Sequence, residues 1–406
     1  MATVFLIIIY MAFISLGLPD SMLGAAWPIM RMDYGAPIET AGMLSIVIIV
    51  GTIISSLGSV ALLKRLGTGM VTFISVALTA VALLGFSFAP TIIWLVVLAL
   101  PLGLGAGSID TGLNNYVATH YKAHHMSWLH CFWGVGAMLG PIIMSQFIAQ
   151  DNSWRSGYFV VAMIQFALVL VLFLTLPLWK RAEKNSSSLE VDIQENVPDH
   201  GVTNLEKQEN PLKVKGVKMA LLTFLFYVGV EATMGLWGSS FLVNVKEMSV
   251  SVAAQWVSMY YAGITVGRFI TGFVTFKFSN RTLIRSGQII SLIGAILLVL
   301  PLPLVFSLVG FILVGLGSAP IFPCMLHETP ARFGKANSQT IMSYQIAVAY
   351  IGGAILPPLL GWVAAHTSFA IFPFVNVGYI IVMLIASEKI NRLMKRRISS
   401  YTHAAS

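Results

Sequence analysis

Apolar residues run in continuous stretches of about 20, separated by short polar gaps, from one end of the chain to the other. An α-helix of that length crosses a hydrocarbon core. The stretches do not alternate apolar with polar positions, so they predict helices and not the strands of a barrel. Twelve spans are predicted: 4–30, 38–62, 70–89, 92–119, 128–149 and 155–178, then 217–242, 252–275, 283–300, 304–327, 338–362 and 369–388. One long polar stretch, RAEKNSSSLEVDIQENVPDHGVTNLEKQENPLKVK, follows the sixth span. Its low hydrophobicity and mixed charge predict a flexible linker and not a domain. The division expected is a bundle over 1–179, a linker over 180–216, a second bundle over 217–388 and a tail over 389–406.

Composition agrees. The 406 residues are 57% hydrophobic and 10% charged, against roughly 25% charged in soluble domains. So few charges leave no water-facing surface for a soluble protein. The formal net charge of +8 does not point to nucleic acid, because the cations sit in the gaps between spans. One set of gaps holds Lys64, Arg65, Lys122, Arg181, Lys213, Lys215, Lys277, Arg281, Arg332 and Lys335, and the tail adds more. The other set offers little beyond Arg31, Arg155 and Lys246. The loaded side is expected to be cytoplasmic, with both termini inside a cell membrane crossed an even number of times. The first run lacks a basic leader and is too long for a cleavable signal. Cys131 and Cys324 fall inside spans and read as packing residues.

The two halves repeat. An offset of 212 residues places Gly17 on Gly229, Gly51 on Gly263, Arg65 on Lys277, and Gly103–Gly105 on Gly315–Gly317. An offset of 217 places Gly136-Ala-Met-Leu-Gly-Pro141 on Gly353-Ala-Ile-Leu-Pro-Pro358. These registers predict two six-helix bundles related by duplication. A substrate site is then expected between them near the bilayer midplane, with access alternating as one bundle rocks on the other.

Away from the span ends only a few ionisable groups lie within the spans: Asp20, Asp110, His130, Glu231 and Arg268. A charge at a helix centre costs roughly 2.5–3.5 kcal/mol on insertion scales, so such groups normally face a polar cavity and serve transport. Asp110 has Asn114 four residues on, on the same face, with Thr111 and Asn115 beside it. A carboxylate with an amide suits a hydroxyl-rich ligand, or Asp110 pairs only within its own half. Asp20 follows Pro19, which loosens the helix at a site, or it is an outer helix-end acid. Glu231 binds substrate, gates, or holds a structural partner. His130 is a proton relay, a sugar contact or a packing histidine. Arg268 has a structural or gating role between helices. Trp133, Trp237 and Tyr344 offer aromatic faces to a sugar ring, and Gln345 a further amide. His120, His124 and His125 read as a solvated loop and not a metal site.

The segments that carry these groups resemble one family. GLGAGSIDTGLNNYV is similar to the fourth-helix signature of the fucose–galactose–glucose sugar:proton symporters of the major facilitator type. YVGVEATMG resembles their seventh-helix pattern, and VGRFITGF and GSAPIFP match their eighth and tenth helices. The resemblance covers the whole chain. It implies the all-α major facilitator fold, a polytopic membrane protein of twelve transmembrane helices, and symport of a hexose or deoxyhexose with a proton. It implies no enzyme activity and no cofactor besides the proton. By position, Asp110 becomes the main coupling carboxylate, Asp20 a substrate-linked acid and Asn114 a sugar contact. Asp110 stands where the family usually has Glu, and His130 where the fucose permease has Gln. The partners expected are a small neutral sugar and the bilayer, with the chain a monomer. The alternatives are a drug/proton antiporter on the same fold and a sodium-coupled sugar carrier.

Overall fold

The computed structural model describes residues 2–121, 123–151, 153–196 and 211–404. Among them the chain forms thirteen α-helices: α1 (Ala2–Asp20), α2 (Met22–Asp33), α3 (Thr40–Phe88), α4 (Ile92–His120), α5 (Ala123–Asp151), α6 (Trp154–Asn196), α7 (Val217–Lys246), α8 (Val250–Val274), α9 (Asn280–Val299), α10 (Leu304–Ser318), α11 (Ile321–Phe333), α12 (Lys335–His366) and α13 (Ile371–Ala404). They map onto the twelve expected spans with three differences. The first span is the pair α1 and α2, interrupted at Ser21 just after Pro19. The tenth is the pair α10 and α11, interrupted before Ile321 at Pro320, which has no N–H to continue the ladder. The second and third are one element, α3, broken at Gly67.

Eleven stretches of the described residues are long and apolar enough to cross a membrane. The remaining expected span, the eighth at 252–275, is α8, a helix of 25 residues that is not among the eleven. It carries Gln255, Ser258, Tyr260, Tyr261, Thr265, Arg268 and Thr271. These polar groups lower its hydropathy because α8 faces the interior of the bundle and not lipid alone.

Helices α1–α6 form one bundle and α7–α13 the other, meeting where α5 packs on α8, α3 on α12 and α2 on α7. Lipid tails are as apolar as leucine, so close approach of small residues holds such bundles together. The duplicated glycines do this in equivalent places. A Cβ at Gly103 would strike the Ile48 carbonyl of α3, and one at Gly315 would strike the Tyr260 carbonyl of α8.

Two terminal segments depart from expectation. α6 continues to Asn196, into the stretch read as linker, because no Pro or Gly falls between Leu178 and Asn196; 197–210 lie outside the described residues. The stretch read as a tail continues α13, and Ile390 and Met394 are buried against Val217, Ala220, Phe333 and Ile341. The histidines after α4 are also not a bare loop. His120 stacks on Tyr116, and His125 Nδ1 lies 2.9 Å from the Tyr10 hydroxyl; the His124 side chain lies outside the described residues.

On the Lys/Arg-rich face, Glu328 of α11 ties the second bundle together. Its carboxylate accepts from Arg332 at 3.1 Å and from Arg281 of α9 at 3.4 Å, and Arg332 is almost wholly buried. Removing one partner of a buried pair costs about 3–5 kcal/mol, because the other charge is left uncompensated. The Glu328→Gln protein is therefore expected to melt well below wild type in detergent. An unchanged melting temperature would show that the pair does not hold the bundle.

Candidate functional site

A cavity of about 930 Å³ lies between the two bundles. Its deep end is lined by Phe13, Leu16 and Asp20 of α1, Ile48, Ile49 and Thr52 of α3, Ala106 and Asp110 of α4, and His130 and Trp133 of α5. From the second bundle come Tyr227, Val228 and Glu231 of α7, Arg268 of α8, Phe322 of α11 and Tyr350 of α12. The mouth, at Ser279, Asn280, His327 and Glu328, opens on the face that carries Lys277, Arg281 and Arg332. The opposite end is shut by α2 against α7 and α3 against α12.

All five intramembrane ionisable groups line this one cavity. They form two clusters, each bridging the bundles. In the first, Trp133 Nε1–H donates to Asp20 Oδ2 at 2.8 Å, and the indole face lies 5.0 Å from the Arg268 guanidinium carbon. The approach of α5 to α1 that allows this occurs at Gly17, where a Cβ would strike the Trp133 carbonyl. Arg268 in turn reaches Glu231 at 3.4 Å, the Tyr227 hydroxyl at 3.5 Å and the His130 carbonyl oxygen at 3.4 Å. Its Nε is buried without a partner. In the second cluster, Asp110 accepts from Asn114 Nδ2 at 2.8 Å and from the Tyr350 hydroxyl at 3.3 Å. Tyr350 comes from the other bundle, so Asp110 is not paired within its own half alone.

Both acids are thus held as hydrogen-bond acceptors of neutral donors, and among the described residues neither has a basic side chain as a hydrogen-bond or ion-pair partner. Asp20 is at the same time open to the cavity. Enclosing an unpaired carboxylate is costly, and taking up a proton removes that cost.

The amides and distant aromatics are placed differently from expectation. Asn114 supports Asp110 from behind, is not part of the cavity wall, and keeps a buried Oδ1 without a partner. Asn115, one residue further round the helix, points outward and is exposed. Trp237 is fully buried on the shut side, its Nε1–H donating to the Pro357 carbonyl at 2.7 Å. Gln345 is buried and accepts from Thr329 at 3.0 Å. Tyr344 also lies off the cavity wall. None of these five lines the cavity in this conformation.

Tyr350, Tyr227 and Phe322 escaped the sequence reading. The signal for Tyr350 was present, since the 217-residue offset places it on Trp133. Each of the two donates to the acid of its cluster. The two halves differ at these charges: at an offset of 212, Asp110 falls on Phe322 and Arg268 on Ser56.

The Trp133 bridge gives a graded prediction. Trp133→Phe keeps a ring under Arg268 and loses the hydrogen bond to Asp20, a charge-assisted bond worth about 1.5–3 kcal/mol. Trp133→Ala also loses the cation–π contact, worth about 0.5–2 kcal/mol. Initial transport rates are expected to fall from wild type to Phe to Ala. A Phe variant as fast as wild type would remove the hydrogen bond from the account.

The family model described as Major Facilitator Superfamily matches residues 9–357 and 219–395. The chain is 24% identical over 387 residues to the glucose/mannose transporter GlcP of Bacillus subtilis (strain 168), covering 94% of each chain. Its fold is similar to the D-xylose-proton symporter, with a TM-score of 0.73 at 14% identity over 95% of this chain and 96% of that one. It is also similar to the E. coli fucose:proton symporter FucP, with a TM-score of 0.61 at 15% identity over 95% and 98%. A cavity between two duplicated six-span bundles, lined by intramembrane acids, and a family match along nearly the whole chain lead to one assignment: this multi-pass membrane protein belongs to the Major Facilitator Superfamily.

Proposed function

We propose that the protein is a secondary carrier that imports a small neutral sugar together with a proton. The observation that carries the reading is the pair Asp20 and Asp110, each facing the bundle interface and each held by an aromatic donor, Trp133 or Tyr350. Aromatic rings offer apolar faces to sugar C–H groups, and the acids accept from hydroxyls. The sugar named for GlcP supports the same class. The Lys/Arg-rich face is cytoplasmic by charge bias, so the cavity described is the inward-open state. Substrate and proton enter from the other side, a carboxylate becomes neutral, and the loaded carrier closes without burying a net charge.

The test is uptake of a panel of labelled hexoses and deoxyhexoses into proteoliposomes under an imposed inward proton gradient, with and without sodium. Gradient-driven accumulation of one sugar without sodium is expected. Accumulation that requires sodium would reassign the coupling ion. One observation favours a second reading, extrusion of a lipophilic compound: Phe13, Leu16, Ile48, Ile49, Val228 and Phe322 make much of the cavity wall apolar. Absence of any sugar signal, with proton-driven expulsion of a lipophilic cation, would establish that reading instead.

A further inference from the structure

The contact between α5 and α8 stops part-way along the two helices. On the shut side they are tied, with Gly134 against Thr265, the Cys131 thiol 3.8 Å from the Thr265 carbonyl oxygen, and Arg268 on the His130 carbonyl. Toward the mouth no further tie between the two helices is found among the described residues. At Gly272, one turn beyond Arg268, a Cβ would meet nothing within 4 Å. The residues that follow serve two surfaces at once. Phe273, near the end of α8, is 58% exposed and Phe276, in the turn after it, 86% exposed, and both line the cavity, as Trp128 of α5 does.

The direction of this opening follows from the helix period. Val266, Phe269, Ile270 and Phe273 are exposed and spaced as one stripe of α8. An exposed apolar stripe on a membrane span faces lipid, and here the same stripe runs on into the cavity wall at Phe273. The slit between α5 and α8 therefore opens at the level of the bilayer and not only into water. The cavity, about 930 Å³ and open at its mouth, leaves room for a chain attached to a monosaccharide.

We infer that the carrier accepts alkyl glycosides, with the sugar head between Asp20 and Asp110 and the alkyl chain leaving the cavity between α5 and α8 into the membrane. This rests on the sugar reading of the site. It reconciles acids at the deep end with apolar walls along the path outward.

The probes are octyl β-glucoside and octyl β-galactoside, each with a diazirine at the chain terminus, photolysed in proteoliposomes containing the full chain. Adducts are expected on 273–278, at the end of α8 and in the turn that follows, or at Trp128. An excess of the methyl glycoside is expected to displace them, with the octyl compound competing at least roughly tenfold better than the methyl one. In Gly272→Trp, where the new ring fills the slit, this octyl-to-methyl ratio is expected to collapse toward one. Adducts on α8 that no methyl glycoside displaces would mean partitioning at the lipid surface and would overturn the inference. So would equal competition by methyl and octyl glycosides in wild type, with hexose uptake intact and the sugar reading still standing. Failure of every glycoside to compete, together with no hexose uptake, would bring down the sugar reading and this inference with it.

Discussion

Asp110→Asn is expected to abolish uphill accumulation while leaving exchange of substrate across the membrane. The carboxylate is held by two donors, Asn114 Nδ2 and the Tyr350 hydroxyl, and only one of them belongs to the same bundle. On the alternating-access reading proposed above, the Tyr350 bond breaks as the bundles rock while the Asn114 bond moves with Asp110. The environment of the acid therefore differs between the two states, which is the condition for coupling a proton to the transition. An amide in its place carries no exchangeable charge, so the empty and loaded carriers become electrically alike at this position. Accumulation ratios in an imposed proton gradient are expected to fall to about one, with counterflow retained. Uphill uptake by the Asn variant would remove Asp110 from the coupling scheme. Tyr350→Phe deletes the bond between bundles alone. It is expected to slow transport without abolishing accumulation.

The second large effect is expected at Gly24. A Cβ at this position of α2 would strike the Gly235 carbonyl oxygen and crowd the Leu236 Cα of α7. These are backbone atoms in the interior of a helix and have no rotamer with which to move aside. Overpacking of this kind costs about 1–3 kcal/mol. The contact exists only where the two bundles meet on the shut side, so Gly24→Val penalises the present state and not its opposite. One to three kcal/mol moves a two-state equilibrium by roughly 5- to 150-fold. The expected result is a carrier resting open on the face opposite the Lys/Arg-rich one, still able to bind but turning over at least tenfold more slowly. Spin labels placed on the two bundles at the Lys/Arg-rich face would report the shift as a shortened distance. An unchanged distance distribution would show that α2 and α7 do not form the closing contact.

Much of this molecule was legible from its residues because lipid is a demanding solvent. Uninterrupted apolar runs mark spans directly, and the cost of an intramembrane charge singled out Asp20, Asp110, His130, Glu231 and Arg268, all of which share one cavity wall. What the residues did not reveal was rotation of each helix about its own axis, which side-chain packing decides. Asn115 and Gln345 are polar residues within spans, as Asn114 is, yet one points outward and the other bonds Thr329. Trp237 lies close in sequence to Glu231, but its indole closes a backbone contact on the shut side. The tail was misread for a different reason. Its Lys and Arg residues dominate the composition, while Ile390 and Met394, four apart on one face, are what bury it. Tyr350 was hidden only because the repeat offset that had aligned the glycines was not followed three residues back to Trp133.

The break between α1 and α2 has a mechanical consequence. Asp20 is the last residue of α1, and Met22 begins α2 after the single intervening residue Ser21. Below the break, α1 leans on α5; above it, α2 carries the contact with α7 that shuts the far side. The first span is thus two levers sharing a joint, with the carboxylate fixed at the joint and not on either arm. A change in its charge acts where a small angular adjustment is magnified along α2 into displacement at Gly24, while α1 stays seated in its bundle.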